Sequence, residues 1–474
     1  MSRFSLPWRS LSVTAVVVLA GCATVSQEQN VERVNEEIGD FSGGKVSMTR
    51  TAKEREAQAR TATDLLKLPL GQKEAVQLTL VNSPALQTLL AQGWAETADA
   101  AQSGRISNPI FSYERLAAGS ELELSRALSF GLLDVLTLPV RQGVAIQRIQ
   151  QAQLRLTGEV IDQVTRTRQA WVRAVATQQI LKYAQQVCES AEASAELARR
   201  MQATGNFNRI SRAREQAFYA DAATRLAAAS HQSTAAREEL VRMLGLDETQ
   251  AEQLQLPQRL PDLPAQALAP ERVGQMATRE RLDIRLAKTV LEASGKAQGL
   301  NTVTSITDIE LTARRKSTID NAAGTRSDPR GYEIGIRLPL FDWGGMQREA
   351  WNARTLAAAN QLEATVRVAG SNLRESYSAY RTAHDVARHY RDEVVPLRKL
   401  ISEENQLRYN GMLIGVFELL ADARDQVSTV MAAINAEQQF WLADAALQAS
   451  LIGRPTSTAL TVMTTAPSSA VGGH

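Results

Sequence analysis

Cysteine is nearly missing from this chain: 474 residues hold two, Cys22 and Cys188. No internal disulfide framework can be built from a leader cysteine and one spare thiol. Net charge is missing too, with 53 Lys and Arg against 51 Asp and Glu. That balance argues against a nucleic-acid partner, whose footprint is a basic excess. After residue 22 there is no run of 18 uncharged apolar residues, so no helix is expected to cross a bilayer. Any passage through a membrane would be made by strands. Histidines number four, and none sits in a catalytic or metal-binding spacing. His384 and His389 are five apart, on different faces of a helix, whereas a helical metal pair uses i,i+4. They read as part of a solvated face beside Asp385 and Arg388, and Cys188 reads as a small packing residue. No phosphate loop is present, so no cofactor, no metal and no enzymatic activity are expected.

What is present begins at the N-terminus. Arg3 and Arg9 precede the apolar stretch of residues 11–22, LSVTAVVVLAGC. A basic start, a short apolar core and small residues before a cysteine have the layout of an export signal. Leu19-Ala20-Gly21-Cys22 resembles a bacterial lipobox, which implies that Cys22 is lipidated and becomes the mature N-terminus. By the same resemblance, Ala23 after it favours the outer membrane. The alternative is an ordinary secretory signal with Cys22 an early residue. Loss of residues 1–21 removes two arginines and no acid, leaving 51 basic residues against 51 acidic ones.

Residues 22–69 are polar and read as a tether. From Leu70 to Gln102 the pattern is helical, and Ser107-Asn108-Pro109 breaks it. In Glu121–Phe130 the even positions are apolar except Arg126 and the odd ones small or acidic, a strand with one apolar face. Ile110–Leu116 is its expected partner across a turn at Ala117–Ser120. One very long helix is predicted from Arg141 to about Met201, then a break at Gly205-Asn206 and a second helix from about Asn208 to Leu244. A Pro-rich linker over 247–270 follows.

The same order then returns in 271–453. A helical segment (271–298) leads to alternating stretches at Thr304–Arg314 and Tyr332–Leu340. A long helix then carries Leu362, Val366, Ala369, Leu373, Tyr377, Tyr380 and Ala383, in steps of three or four. Pro396 is expected to kink it. Gly411 and Gly415 break it before a last helix, and the tail over 454–474 is expected to be disordered. This is an internal duplication. The two breaks align without a gap at an offset of about 210, with Gly205, Phe207, Ala213, Arg214, Glu215 and Gln216 over Gly415, Phe417, Ala423, Arg424, Asp425 and Gln426.

A helix of about 60 residues rises ~90 Å, far more than a compact domain needs. Four strands per chain cannot close a barrel, and open strand edges are not tolerated in lipid. Closed barrels begin at about eight strands, so three copies, with twelve, would suffice. The expected fold is mainly α with a small transmembrane β part: a duplicated set of long coiled-coil helices and β-hairpins, forming a trimeric twelve-stranded β-barrel continued by an α-helical barrel.

At this level the chain resembles the TolC-like outer-membrane efflux channels. The duplication, Asn82-Ser83-Pro84-Ala85-Leu86 before the first hairpin, and Leu338-Pro339-Leu340-Phe341-Asp342-Trp343-Gly344 after the second carry the likeness. Arg408-Tyr409-Asn410-Gly411 followed by Glu418-Leu419-Leu420 adds to it. The resemblance implies a passive homotrimeric conduit in the outer-membrane lipid. It also implies docking to a periplasmic adaptor and an inner-membrane pump of RND type. It further implies acids near the second break that narrow the pore: Glu418, with Asp422 and Asp425 as further candidates and Ala421 where a second acid is expected. Gly205, Asn206, Gly411 and Gly415 would meet the adaptor. The competing reading is a non-pore, coiled-coil lipoprotein scaffold of the envelope.

Overall fold

The computed structural model describes residues 26–277 and 281–456. The expected signal segment (1–21), Cys22 and most of the expected tail lie outside them. The helices, in chain order, are α1 (Gln27–Ser42), α2 (Ala52–Leu65), α3 (Gln72–Asn82), α4 (Pro84–Ser103), α5 (Leu132–Leu136), α6 (Leu138–Ala203), α7 (Arg209–Leu244), α8 (Glu248–Gln253), α9 (Pro270–Ala277), α10 (Leu282–Thr304), α11 (Gly345–His389), α12 (Val395–Asn410) and α13 (Val416–Ile452). The strands are β1 (Ile110–Ala118), β2 (Glu121–Gly131), β3 (Ile309–Asp320), β4 (Thr325–Ser327) and β5 (Arg330–Ile336). No described helix is long and apolar enough to cross a membrane.

Two compact units form, and they cut across the sequence repeats. The first gathers Ala91–Leu156 and Asp283–Val366 with the N-terminal residues through Arg33; the second gathers Val34–Leu90, Thr157–Leu282 and the chain from Arg367 on. Each repeat contributes a hairpin to the first unit and a helix break to the second.

In the first unit the sheet is an antiparallel meander in the order β1-β2-β3, with β4 and β5 both paired to β3. β4 and β5 are two halves of one strand parted at Asp328-Pro329, where the Lys316 N–H donates to the Pro329 carbonyl. Gly119-Ser120 is a two-residue turn, tighter than the four-residue one expected, and Gly119 takes φ 61°. Glycine at the first central position suits a II′ hairpin turn. The second hairpin begins later than its pattern suggested, since α10 runs through Thr304 and β3 extends to Asp320. β1 pairs only with β2, and β4 and β5 only with β3, so both lateral edges of the sheet are open among the described residues.

The register sorts the side chains onto two faces. One carries Phe111, Leu122, Leu124, Leu128, Phe130, Leu311, Ile334 and Ile336; the other carries Glu114, Glu123, Ser125, Thr312, Arg314, Lys316 and Glu333. On the polar face Lys316 pairs with Glu123 at 2.7 Å and Arg314 with Glu333 at 3.1 Å. The apolar face has no core behind it: Phe111, Tyr332, Ile334 and Ile336 are exposed. A water-soluble sheet would cover that face.

The second unit is helical, with a continuous core around Trp171, Leu240, Leu244 and Leu260 and another around Tyr380, Phe440 and Leu447. The Pro-rich linker is fastened to these helices through its carbonyls. Trp441 donates to Pro261 at 3.1 Å, Tyr377 to Leu268 at 3.0 Å, and Arg237 to Ala251 and Leu254. The expected tether is also structured from Gln27 onward: α1 and the segment behind it bury Val34, Ile38, Phe41 and Val46, and α2 buries Ala62. Apolar residues spaced by three and four were diluted there by charge, which hid the helix. Before Pro396 the chain widens into a π-turn over Tyr390–Val394, where the Val395 N–H reaches back five residues to Tyr390. Proline lacks the N–H for the normal bond, and the helix absorbs the defect and continues to Asn410. His384 is buried rather than solvated. It is 1% exposed, packs on Phe440, and places Nε2 3.1 Å from the Pro264 carbonyl.

Candidate functional site

The two helix breaks lie in the second unit and are built alike. After α6, the Asn206 N–H reaches the Met201 carbonyl and the Gly205 N–H reaches Gln202. After α12, the Leu413 N–H reaches Arg408 and the Met412 N–H reaches Tyr409. Both are Schellman closures, which need one residue in the left-handed region. Gly205 fills it at φ 82° in the first break; Met412 fills it at φ 57° in the second. Next, Asn208 caps α7 by accepting from the Ser211 N–H at 2.7 Å, while Gly415 begins α13 without a side-chain cap.

This geometry corrects the alignment of the repeats. Closure and cap are offset by 207 residues, not about 210. Burial agrees: Glu215, Ala222, Ala229 and Ala236 are buried along α7, and Asp422, Thr429, Ala436 and Ala443 along α13. The shared Ala-Arg-acid-Gln letters therefore fall almost one helical turn out of phase. Arg214 is exposed where Arg424 is partly buried, and Glu215 is buried where Asp425 is exposed.

Glu418, Asp422 and Asp425 step by four and three along α13, a single stripe. Glu418 is exposed in the first turn, where a carboxylate also suits the helix dipole. Asp422 is 7% exposed and sits on the buried seam. Asp425 is exposed and lies 3.4 Å from Arg398 of α12, beside a Ser402–Gln426 hydrogen bond. At the breaks Gly205, Asn206, Gly411 and Gly415 are all exposed, as are Met412 and Leu413, while Ile414 is buried. Among the described residues no group of three or more His, Cys, Asp or Glu is placed to hold a metal ion.

Two arrangements escaped the sequence reading. Arg424 donates to Glu215 at 2.9 Å and stacks over Phe218, tying α13 to α7 across the two repeats. Both residues were visible, but only as letters that matched. The second is a relay from Asp444 to the N-terminal segment. Asp444 accepts from Gln448 at 2.7 Å, Gln448 accepts from Arg168 at 3.0 Å, and Arg168 donates to the Phe41 carbonyl and lies 4.4 Å from the Phe41 ring centroid. Burial pushes the Asp444 carboxyl up to about 6, against the pull of Arg168. Burial also lowers the Arg168 guanidinium. No local sequence signal joins positions so far apart.

No family model matches the chain, and no curated protein matches it in sequence. Solved structures do match. The outer membrane protein VceC of Vibrio cholerae superposes with a TM-score of 0.66 at 16% identity, covering 85% of this chain and 99% of that one. The CmeC outer membrane channel of Campylobacter jejuni gives 0.66 at 13%, covering 86% and 89%. The MtrE outer membrane channel of Neisseria gonorrhoeae, solved in its open state, gives 0.63 at 17%, covering 84% and 91%. With duplicated hairpins, long helices and matched breaks in one order, this chain has the TolC-like fold of those outer-membrane channels.

Proposed function

We propose that the protein is the outer-membrane channel of a tripartite export system, a passive homotrimeric conduit that receives cargo from a periplasmic adaptor and an inner-membrane pump of RND type. One observation carries the reading: a four-stranded meander (β4 and β5 counted as one strand) with an uncovered apolar face, ion pairs on its polar face and two open edges. Such edges are untenable in lipid unless they close. Three copies joined edge to edge supply twelve strands, with the apolar face toward lipid and the polar face lining a water-filled lumen. The superposition on outer-membrane channels supports the same arrangement.

In this reading the helices following the hairpins continue the conduit into the periplasm, and Cys22 anchors each copy by its lipid. Glu418, threefold repeated, lines the narrow end and favours cations, with Asp425 held beside it by Arg398 and Asp422 stiffening the seam behind. The breaks at Gly205-Asn206 and Gly411–Gly415 present the surface for the adaptor.

Single-channel recording of the purified, lipidated protein in planar bilayers tests this. Discrete conductance from a detergent-resistant trimer is expected, and Glu418→Ala is expected to lower cation selectivity. A non-conducting monomer or elongated dimer would overturn the channel and leave the envelope scaffold.

A further inference from the structure

The apolar face of the sheet carries a feature that a lipid-facing surface does not need. Arg126 of β2 stands directly opposite Arg315 of β3, and Arg315 directly opposite Arg330 of β5. Tyr113 continues the row on β1. Opposed residues share a face, and toward the helical ends of the strands that face is purely apolar. Its next rows hold Phe111, Leu128, Ala313 and Tyr332, then Phe130, Leu311 and Ile334, then Ile309 and Ile336.

Like charges directly opposed in a sheet repel. On the other face both cations are paired within the sheet, Arg314 with Glu333 and Lys316 with Glu123, yet Arg126, Arg315 and Arg330 form no ion pair within 4 Å among the described residues. Asp328 feels the charge of Arg315 but accepts its hydrogen bonds from Ser317 and Arg326. Arg315 Nε is buried with no hydrogen-bond partner. Three guanidiniums on adjacent strands, roughly 5 Å apart, thus share one face without a protein acceptor, Arg126 and Arg330 exposed and Arg315 half-buried between them.

Depth says what meets them. From Ile336 to Arg330 is six residues, about 20 Å along a strand. The apolar band of a transmembrane barrel is about 25 Å tall, so the row lies near its boundary on the side of the Gly119-Ser120 turn. Arginine facing lipid is costly at the midplane and nearly free at that boundary, where its head can reach the headgroups.

We propose that Arg126, Arg315 and Arg330 form a binding row for phosphate-bearing lipid headgroups of the outer leaflet, specifically a glycolipid with two phosphate groups. The planar fork of arginine suits bidentate phosphate contact, and a row about 10 Å long spans two phosphates, where a zwitterionic phospholipid would engage one end only. This rests on the sheet being part of a transmembrane barrel.

Native mass spectrometry of the full-length, lipidated protein in detergent, with added diphosphoryl lipid A or phosphatidylethanolamine, tests it. Wild type is expected to retain diphosphoryl lipid A in preference to phosphatidylethanolamine. The variant R126Q/R315Q/R330Q is expected to lose at least tenfold in lipid A retention. The polar-face control R314Q/K316Q is expected to retain it, and the triple variant, altered only on the lipid side, is expected to conduct as wild type does. Equal retention by the triple variant, or equal loss by the control, overturns the proposal. If the triple variant yields no trimer, R315Q alone decides, with about threefold loss expected and no change refuting. A wild type that binds lipid A but does not conduct would instead refute the channel reading.

Discussion

Arg424→Met isolates the tie between the two repeats. Glu215 has 2% of its side chain exposed and Arg424 34%, with one charge-assisted hydrogen bond of 2.9 Å between them. Glu215 Oε2 and Arg424 Nε are both buried without a partner, so the pair is not bidentate. Removing one member of a buried pair costs about 3–5 kcal/mol, because the other charge is left in a poor solvent. Water at Arg424 screens part of that, and a loss of about 2–3 kcal/mol is expected. Replacing both, as Glu215→Gln with Arg424→Met, removes the stranded charge and should recover most of the loss. The assay is a double-mutant cycle on thermal melting of the purified protein, followed by circular dichroism. A coupling energy below about 0.5 kcal/mol would refute the reasoning, since distant or screened sites merely add.

Gly245 closes α7 at φ 67°, and a Cβ there would lie 2.5 Å from Pro84 Cδ and 2.7 Å from Ser83 Cα. Gly245→Ala should therefore cost about 2–4 kcal/mol, strain and overpacking together, read as a lowered melting temperature. The Asp444 carboxyl, held at about 6, binds a proton in the folded chain at pH values where an unfolded chain has released it. Stability from this group is present below about pH 4 and is lost as pH rises to about 6, by roughly 2 kcal/mol after allowing for partial exposure. Asp444→Asn should flatten the melting-temperature profile over that window and raise it at neutral pH. Arg168→Ala removes the donor and the cation that hold Phe41. Amides at the C-terminal end of α1 should then exchange at least tenfold faster in hydrogen-exchange mass spectrometry, with the α7 amides unchanged.

Helices were legible where a strict apolar period survived along a single element. The stripe from Leu362 to Ala383 and the alternation in Glu121–Phe130 both placed real elements, because a helix or a half-buried strand writes its period directly into one face of the chain. The π-turn before Pro396 stands where proline's missing N–H was expected to disturb the helix. The N-terminal segment was read wrongly for the converse reason: Val34, Ile38 and Phe41 are few among charges, and their burial depends on a surface that other parts of the chain supply. His384 shows the same limit. Its neighbours Asp385 and Arg388 suggested water, but its own ring fits against Phe440 and the linker carbonyl of Pro264.

The site divides along the same line. Duplication, the order of hairpins and helices, the positions of the breaks and the acid stripe on α13 are properties of the linear chain, and the sequence by itself determined them. The 207-residue correspondence of the breaks, the Arg424–Glu215 tie, the relay from Asp444 to Phe41 and the arginine row on the sheet were decided by tertiary structure alone. Each depends on which residues of separate elements stand opposite one another, and that register is set by packing and strand pairing, which no local pattern of residue types records.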